Sequence, residues 1–171
     1  EKGEVQKALG KLTQINGKNL VQHVLEQLEN DQLIIDSEVL INTKSELKAD
    51  KDIGDVDVLV IDQSSKTIYS LECKSMAPSR NIKEMVEEVN KLFGSDSKKG
   101  WIDKHIGRDE WLKNNLDQLG TKYKLDLSMY AVKSFFVTQE DMLTPYLKTR
   151  KLKLPFVSLP NIKEKGLTTF N

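Results

Sequence analysis

The chain has 171 residues, of which 38% are hydrophobic and 30% are charged, a composition typical of one globular domain and not of a disordered chain. Its 26 basic and 26 acidic residues cancel, so no overall field steers the protein to a polyanion, although a local basic face could still bind one. One cysteine excludes an internal disulfide framework, and together with the lack of a membrane-length apolar run or secretory signal it predicts a cytoplasmic protein with no membrane partner.

The N-terminal third predicts two helices followed by a strand. Residues 4–12 are typical of a short helix, and residues 17–31 of a longer one. The longer helix has an apolar stripe at helical spacing, formed by Leu20, Val21, Val24, Leu25 and Leu28. Residues 33–41 read as extended, and residues 42–54 form a polar connection.

Two β-rich runs come next. DVDVLVID spans residues 55–62 and TIYSLECKS spans residues 67–75, with the polar turn QSSK between them. Their composition and spacing predict an antiparallel hairpin.

Helices and strands alternate beyond the hairpin. The predicted elements are a helix over 81–93, one or two helices over 101–120, a strand over 128–138, a short helical segment over 140–148 and a last strand over 154–160. Gly107 predicts a break in the second of these, with Asp109 as an N-cap after it. The order predicts a single mixed α/β domain over residues 1–171. Because residue 1 is glutamate, the domain is also compatible with a piece of a longer protein.

The hairpin brings acidic and basic side chains to one place. Glu72 and Lys74 share one face of their strand while Cys73 points to the other face, and Asp55 and Asp57 likewise share a face of the partner strand. Two neighbouring carboxylates repel each other unless a proton or a cation lies between them. Mg²⁺, which prefers a few carboxylate oxygens together with water and phosphate, resolves that conflict.

This arrangement predicts phosphodiester chemistry. A metal ion held by Asp57 and Glu72 can acidify a water and neutralise charge on a phosphodiester, and the backbone carbonyl of Cys73 can add an uncharged ligand. Lys74 would either help position and deprotonate that water or stabilise the crowded phosphorus. We expect Asp55 to stay solvated at the start of its strand.

The motif GDVDVLVID, a polar turn and IYSLECKS resemble the PD-(D/E)XK nuclease superfamily. In that pattern an aspartate in a hydrophobic strand precedes, across a hairpin, an acid-any-lysine triplet. Asp57 matches the aspartate, Glu72 the acid and Lys74 the lysine, and the resemblance covers about residues 54–93. It implies a restriction-endonuclease-like fold, with a mixed β-sheet flanked by helices, and a nuclease that uses Mg²⁺ or Mn²⁺ in restriction, repair or defence.

The sequence departs from the family pattern at two places. Val56 precedes Asp57, where the family often has proline. Many members also carry a metal-binding glutamate on the first helix, and the alignment puts Val21 or Gln22 near that position. Glu26 lies one turn further along and is the candidate for this ligand.

Three basic residues are candidates for contact with nucleic acid. Arg80 precedes the helix over 81–93, where helix amides and a guanidinium can hold a phosphate, and the alternative is simple capping by Ser79 or Asn81. Lys104 and Arg108 lie in the segment WIDKHIGRDEW, whose cations and tryptophans could hold a phosphate backbone and stack on bases. The alternative is that its tryptophans are core residues and its charges are solvated.

The sequence therefore predicts a metal-dependent nuclease, with DNA as a more fitting substrate than RNA. The first alternative is a catalytically inactive domain of the same fold that binds nucleic acid or a protein partner. An exposed ion pair without function is the second reading of Asp57, Glu72 and Lys74. Cleavage of both strands of a duplex would favour a homodimer by symmetry.

Overall fold

A six-stranded mixed sheet with helices on both faces organises the structure, a computed structural model that describes residues 2–95, 97–147 and 152–170. The elements in chain order are α1 (Lys2–Leu28), β1 (Leu33–Asn42), β2 (Leu47–Lys48), β3 (Gly54–Asp62), β4 (Thr67–Lys74), α2 (Ile82–Phe93), α3 (Trp101–Asn114), α4 (Leu116–Tyr123), β5 (Ala131–Thr138), α5 (Thr144–Leu147), β6 (Phe156–Ser158), α6 (Leu159–Lys165) and a 3₁₀ turn (Gly166–Phe170). The mixed α/β architecture predicted from the sequence is confirmed.

The strands lie in the order β2-β1-β3-β4-β5-β6. β3 pairs antiparallel with both β1 and β4, so the predicted hairpin is confirmed. β4 pairs parallel with β5, and β5 pairs parallel with β6. β3 and β4 therefore have strand neighbours on both sides at the centre of the sheet.

Helices cover both faces of this centre, which explains why β3 and β4 are almost continuously apolar. On one face, α1 packs its buried stripe against alternate residues of β3 and β4, together with α6 and the 3₁₀ turn. On the other face, Leu112 of α3 and Leu119 of α4 pack against Leu59 and Ile68. The central strands are held rigidly between two layers of helix.

Several predicted element boundaries were wrong. The helices predicted over 4–12 and 17–31 are one helix, α1, because the residues between them include no proline to break it. A two-residue strand, β2, lies within the predicted polar connection and pairs with β1. The last strand is shorter than predicted, because α6 begins at Leu159 with Pro160 in its first turn, where a missing N–H leaves no hydrogen bond unmade. The helical segment predicted over 140–148 is confirmed only as α5, and position 148 lies outside the described residues.

The predicted break at Gly107 is wrong as well. α3 runs without interruption from Trp101 to Asn114, and Asp109 lies inside it, accepting hydrogen bonds from Ser134 and Lys113. One glycine in a helix that packs against β5 is tolerated, because tertiary contacts outweigh its low helix propensity. Among the described residues, no helix is long and apolar enough to cross a membrane.

Two glycines on either side of the α3 start should respond oppositely to alanine. A Cβ on Gly107 would meet no atom within 4 Å beyond the neighbouring backbone of its own helix, so Gly107→Ala should raise the free energy of unfolding by about 0.5–1 kcal/mol through helix propensity. A Cβ on Gly100 would lie 2.3 Å from the carbonyl oxygen of Leu92, so Gly100→Ala should lower it by about 1–3 kcal/mol. Urea denaturation measures both, and a destabilising Gly107→Ala would contradict a continuous α3.

Candidate active site

The three residues matched to the nuclease motif meet where the β3–β4 hairpin ends. The last backbone pair of the two strands is Val58 with Leu71, and the next residues along each strand are Asp57 and Glu72. The Lys74 Nζ lies 3.7 Å from the Asp57 Oδ2 and 2.8 Å from the Glu72 Oε1. The structure thus places both carboxylates around one ammonium group, as the sequence predicts.

Backbone pairing between β3 and β4 stops at this point, and hydrogen bonds to side chains replace it. The Cys73 N–H donates to the Asp57 Oδ2 at 2.7 Å, replacing a strand-to-strand bond. On the other side of β3, pairing with β1 is interrupted at Asp57 and Glu38, and Glu38 has a left-handed φ of 53°. Asp57 therefore lies in a gap between three strands that are otherwise regularly paired.

Cys73 contributes its backbone and not its thiol. Its side chain is buried in the core under α1, and burial raises the pKa of the thiol, so it is a poor nucleophile. In a strand, the N–H and C=O of one residue point to the same neighbouring strand. The Cys73 carbonyl therefore points towards β3 and Asp57, and its use as a metal ligand stays a prediction.

Glu72 is a buried carboxylate with two cations. Its Oε1 contacts Lys74, and its Oε2 accepts a hydrogen bond from the Arg108 Nη2. Burial alone would raise the pKa of Glu72, but the charges of Lys74 and Arg108 outweigh burial and hold that pKa below its ordinary value. Glu72 is thus ionised in the folded protein.

The pKa values of Asp57 and Lys74 are both raised, for different reasons. Burial, followed by the negative charge of Glu72, raises the pKa of Asp57 to about 6, against the opposing effects of Lys74 and the Cys73 N–H. Burial would lower the pKa of Lys74, but Glu72 and Asp57 outweigh it and raise that pKa. Lys74 is therefore an ammonium, and it occupies the position between the carboxylates where a metal cation would compete with it.

Two clefts meet at Lys74, one on each side of the sheet. The α3 cleft has a volume of about 650 Å³ and includes Glu72 and Lys74. The α1 cleft has a volume of about 670 Å³ and includes Asp57 and Lys74. The polar residues of the α1 cleft on α1 itself recur every fourth position, at Gln14, Lys18 and Gln22. The site is thus open from both sides at the end of the hairpin.

The three candidate nucleic-acid contacts lie in different environments. Arg80 is exposed before α2 and forms an ion pair with Glu84 at 3.0 Å, while Asn81 caps that helix. Lys104 is exposed and lines the α3 cleft, as does half-buried Trp101. Arg108 lines the same cleft, but it is buried against Glu72. The guanidinium of Arg108 thus faces a carboxylate of the site.

Glu26, the candidate ligand on the first helix, is exposed and accepts a hydrogen bond from Gln22 at 3.2 Å. Gln22 lines the α1 cleft with Asp57, whereas Glu26 does not. Across residues 2–95, 97–147 and 152–170, no set of three or more His, Cys, Asp and Glu side chains is placed to hold a metal ion. Two carboxylates and a carbonyl nevertheless fit Mg²⁺, which usually keeps several waters and takes only one or two carboxylates from the protein.

Two buried residues of α3 lie beside the carboxylates, although the sequence predicted only a nucleic-acid contact for Arg108 and no site role for His105. Arg108 pairs with Glu72, and His105 is fully buried with its Nε2 3.1 Å from the Phe135 carbonyl oxygen, to which it donates. Burial lowers the pKa of His105 to about 4, so the ring is neutral. Their spacing of three residues does indicate one shared face of α3, but the sequence gives no sign that this face meets β4.

No protein-family model matches the chain, and comparisons with curated proteins and with solved structures likewise gave no match. The likeness to PD-(D/E)XK nucleases therefore rests on the motif residues and on the geometry described above.

In the metal-free protein, Asp57 and His105 should respond to acid with opposite signs. The pKa of His105 is about 4 in the folded protein and 6.5 in the unfolded chain. Its contribution to the free energy of unfolding is therefore full above pH 6.5 and is lost as the pH falls towards 4. The pKa of Asp57 is about 6 when folded and 3.8 otherwise, so its contribution is full below pH 3.8 and is lost as the pH rises through 6. The two contributions therefore offset each other over this range.

Asp57→Asn should remove one side of that balance while keeping an oxygen that accepts from the Cys73 N–H. Between pH 6.5 and 4 the variant should lose stability relative to wild type, by on the order of 3 kcal/mol. Urea unfolding in EDTA at several pH values measures this difference, with the exposed Asp31→Asn as the matched control. Parallel curves for Asp57→Asn and wild type would show that the Asp57 carboxyl does not take up a proton in this range.

Proposed function

We propose that the protein is a metal-dependent nuclease of the PD-(D/E)XK type, which hydrolyses phosphodiester bonds of nucleic acid, with DNA as the expected substrate. The observation that carries the proposal is the convergence of Asp57, Glu72 and Lys74 at the open end of a central hairpin, with Lys74 within 3.7 Å of one carboxylate and 2.8 Å of the other. The two clefts give a phosphate access to this point.

The metal would be held by carboxylate oxygens of Asp57 and Glu72 and by the backbone carbonyl of Cys73, whereas Glu26, predicted as a ligand from the sequence, does not line the cleft with Asp57. When bound there, Mg²⁺ or Mn²⁺ supplies Lewis acidity for the phosphodiester and acidity for its water. The negative charge of Glu72 and the carboxylate form of Asp57 both favour a cation at this site.

Lys74 acts as a cation in this proposal. Glu72 and Asp57 raise the pKa of Lys74 in the metal-free protein, so the side chain is an ammonium there, and its proposed role is that of a hydrogen-bond donor. With the metal site filled, the Lys74 ammonium would no longer be needed by the carboxylates and would donate to the phosphate or to the attacking water. A donor placed where negative charge develops favours the transition state over the ground state.

The α3 cleft supports nucleic acid as the substrate class. Its exposed cations Lys51, Lys99 and Lys104 are candidates for phosphate contacts, although Asp52, Asp55 and Asp103 line the same cleft. The half-buried Trp101 lines the same cleft, and the Lys74 Nζ lies over its ring, 5.6 Å from the centroid. An aromatic surface among cations is the usual means of holding a strand without reading its sequence.

A second candidate function is a non-catalytic domain that binds nucleic acid or a protein partner. It is favoured by two observations: both oxygens of Glu72 are already ion-paired, and Glu26 does not line the α1 cleft. The two candidates differ in one measurable property, because only the nuclease turns over substrate.

Plasmid DNA incubated with Mg²⁺ or Mn²⁺ should be cleaved by wild type and left intact in EDTA. Lys74→Met should lower kcat by about 10²-fold or more, because it removes a charged donor from the reaction centre. Asp57→Asn should reduce activity at least as much, because it removes a carboxylate charge that favours the metal. Gel-based initial rates at saturating metal measure each effect.

Lys163→Ala is the matched control, since Lys163 is exposed on α6 and lines neither cleft. Its rate should equal that of wild type. DNA binding without cleavage in any metal would support the non-catalytic candidate. Cleavage that persists in EDTA or in Lys74→Met would show that a contaminant or a different site is responsible.

Lys104→Ala should weaken DNA binding through loss of a phosphate contact. Each such contact contributes roughly one unit to the slope of log K against log salt concentration, so the variant should have a slope shallower by about one. Fluorescence anisotropy in EDTA between low and moderate salt measures it, again beside Lys163→Ala. An unchanged slope would remove Lys104 from the DNA-binding surface.

A further inference from the structure

Arg108 is placed unlike the other cations of the site. Only 6% of its side chain is exposed, against 24% for Lys74. It projects from the middle of α3, a helix that is fixed against β5 by fully buried His105 and by Asp109, which accepts a hydrogen bond from Ser134. A guanidinium on such a support has little freedom to move.

The guanidinium is held from two sides. Its Nη2 donates to the Glu72 Oε2, and its Nη1 lies 3.4 Å from the Ile53 carbonyl oxygen, to which it donates. Gly54 allows this approach, since a Cβ there would lie 3.2 Å from the Nη1, and its φ of +92° suits glycine. Arg108 thus connects α3, the start of β3 and the end of β4.

A direct contact between Arg108 and nucleic acid conflicts with this geometry. To reach a phosphate, the guanidinium would have to leave Glu72, and a buried carboxylate that loses a charged partner is strongly destabilised. Lys104, one turn earlier on the same helix, is exposed in the same cleft and has no such constraint. The two residues therefore have separate tasks.

The contacts of Arg108 make the two oxygens of Glu72 unequal. The guanidinium of Arg108 holds the Oε2 by a hydrogen bond. The Oε1 instead contacts Lys74, which also lies next to Asp57. A carboxylate held by one oxygen cannot rotate about its last bond, so the direction of the other oxygen is set before any cation arrives. We propose that Arg108 is a positioning residue, which holds Glu72 so that its Oε1 alone is presented to a divalent cation.

This inference rests on the proposed function. It adds Arg108, a residue outside the motif, to the residues on which metal binding depends. Arg108 does not touch the substrate. It acts through Glu72, in the way that hydrogen-bond partners of metal ligands orient them elsewhere. The planar fork matters in addition to the charge, because lysine cannot hold a carboxylate oxygen and the Ile53 carbonyl in one plane.

The test compares Arg108→Lys, which keeps the charge and loses the fork, with Lys104→Met on the same helix. Mn²⁺ affinity is measured without substrate by isothermal titration calorimetry and by the loss of the free Mn²⁺ EPR signal. Arg108→Lys should bind Mn²⁺ about 10–100-fold more weakly and bind DNA in EDTA within about twofold of wild type. Lys104→Met should bind Mn²⁺ as wild type does and should bind DNA more weakly.

Activity separates the roles further. At saturating Mn²⁺, Arg108→Lys should have a lower kcat with a nearly unchanged KM for DNA, whereas Lys104→Met should mainly raise KM. Unchanged Mn²⁺ affinity in Arg108→Lys would overturn the proposal, as would a loss of DNA affinity with Mn²⁺ binding intact. If wild type itself binds no Mn²⁺, the proposed function fails and this inference fails with it; if wild type binds and cleaves, only the inference is at stake.

Folding is monitored in EDTA so that instability is not mistaken for a lost ligand. Arg108→Met should lower the Tm by on the order of 10 °C, because Glu72 is left buried without its fixed partner. The double variant Glu72→Gln/Arg108→Met should recover most of that loss. A double variant no more stable than Arg108→Met would show that the two side chains are not coupled in the folded protein, and this too would overturn the proposal.

Discussion

The burial of one carboxylate, that of Glu72, determines how the rest of the site is built. A carboxylate withdrawn from water keeps its charge only where cations and donors replace the lost hydration. Lys74 provides one such cation from the same strand, and Arg108 provides another from a helix on the far side of the α3 cleft. Because a buried carboxylate that loses a charged partner is destabilised, the docking of α3 contributes to the stability of the end of β4. Stability and the proposed chemistry thus depend on the same contact.

The sheet supplies the second constraint. Covered on both faces by helices, β3 and β4 are rigid as far as the pair Val58 and Leu71, and beyond it they separate. Backbone groups released from a ladder need new partners, and the Asp57 carboxylate meets that need by accepting from the Cys73 N–H. The Asp57 carboxylate is therefore anchored by backbone at the point where the two clefts reach the sheet. Precision comes from the rigid part of the hairpin, and access comes from the open part.

Local patterns in the sequence were sufficient for the hairpin and for the meeting of Asp57, Glu72 and Lys74, because strand alternation and a short turn fix which residues become neighbours. Contacts between distant elements were beyond those patterns. The helix propensity of Gly107 favoured a break, and the packing of α3 against β5 overrode it. In the sequence, Arg108 looks like an exposed cation. Its burial is a consequence of where α3 packs against the sheet. The register of α1 was equally undetermined, which is why Glu26 could not be assigned to a face from the sequence.

The two cations on Glu72 differ in how freely their charged groups can move. Arginine has a planar fork and here a fixed support, whereas lysine has a compact charge on a flexible stem. Lys74 lies between both clefts and is the more exposed of the two. In the proposed nuclease, Lys74 is therefore the cation that would give way to a divalent ion at the carboxylates, while Arg108 would keep its contact with Glu72. The pairing of one buried and one more exposed cation thus gives Glu72 a fixed partner on α3 and a replaceable partner on its own strand.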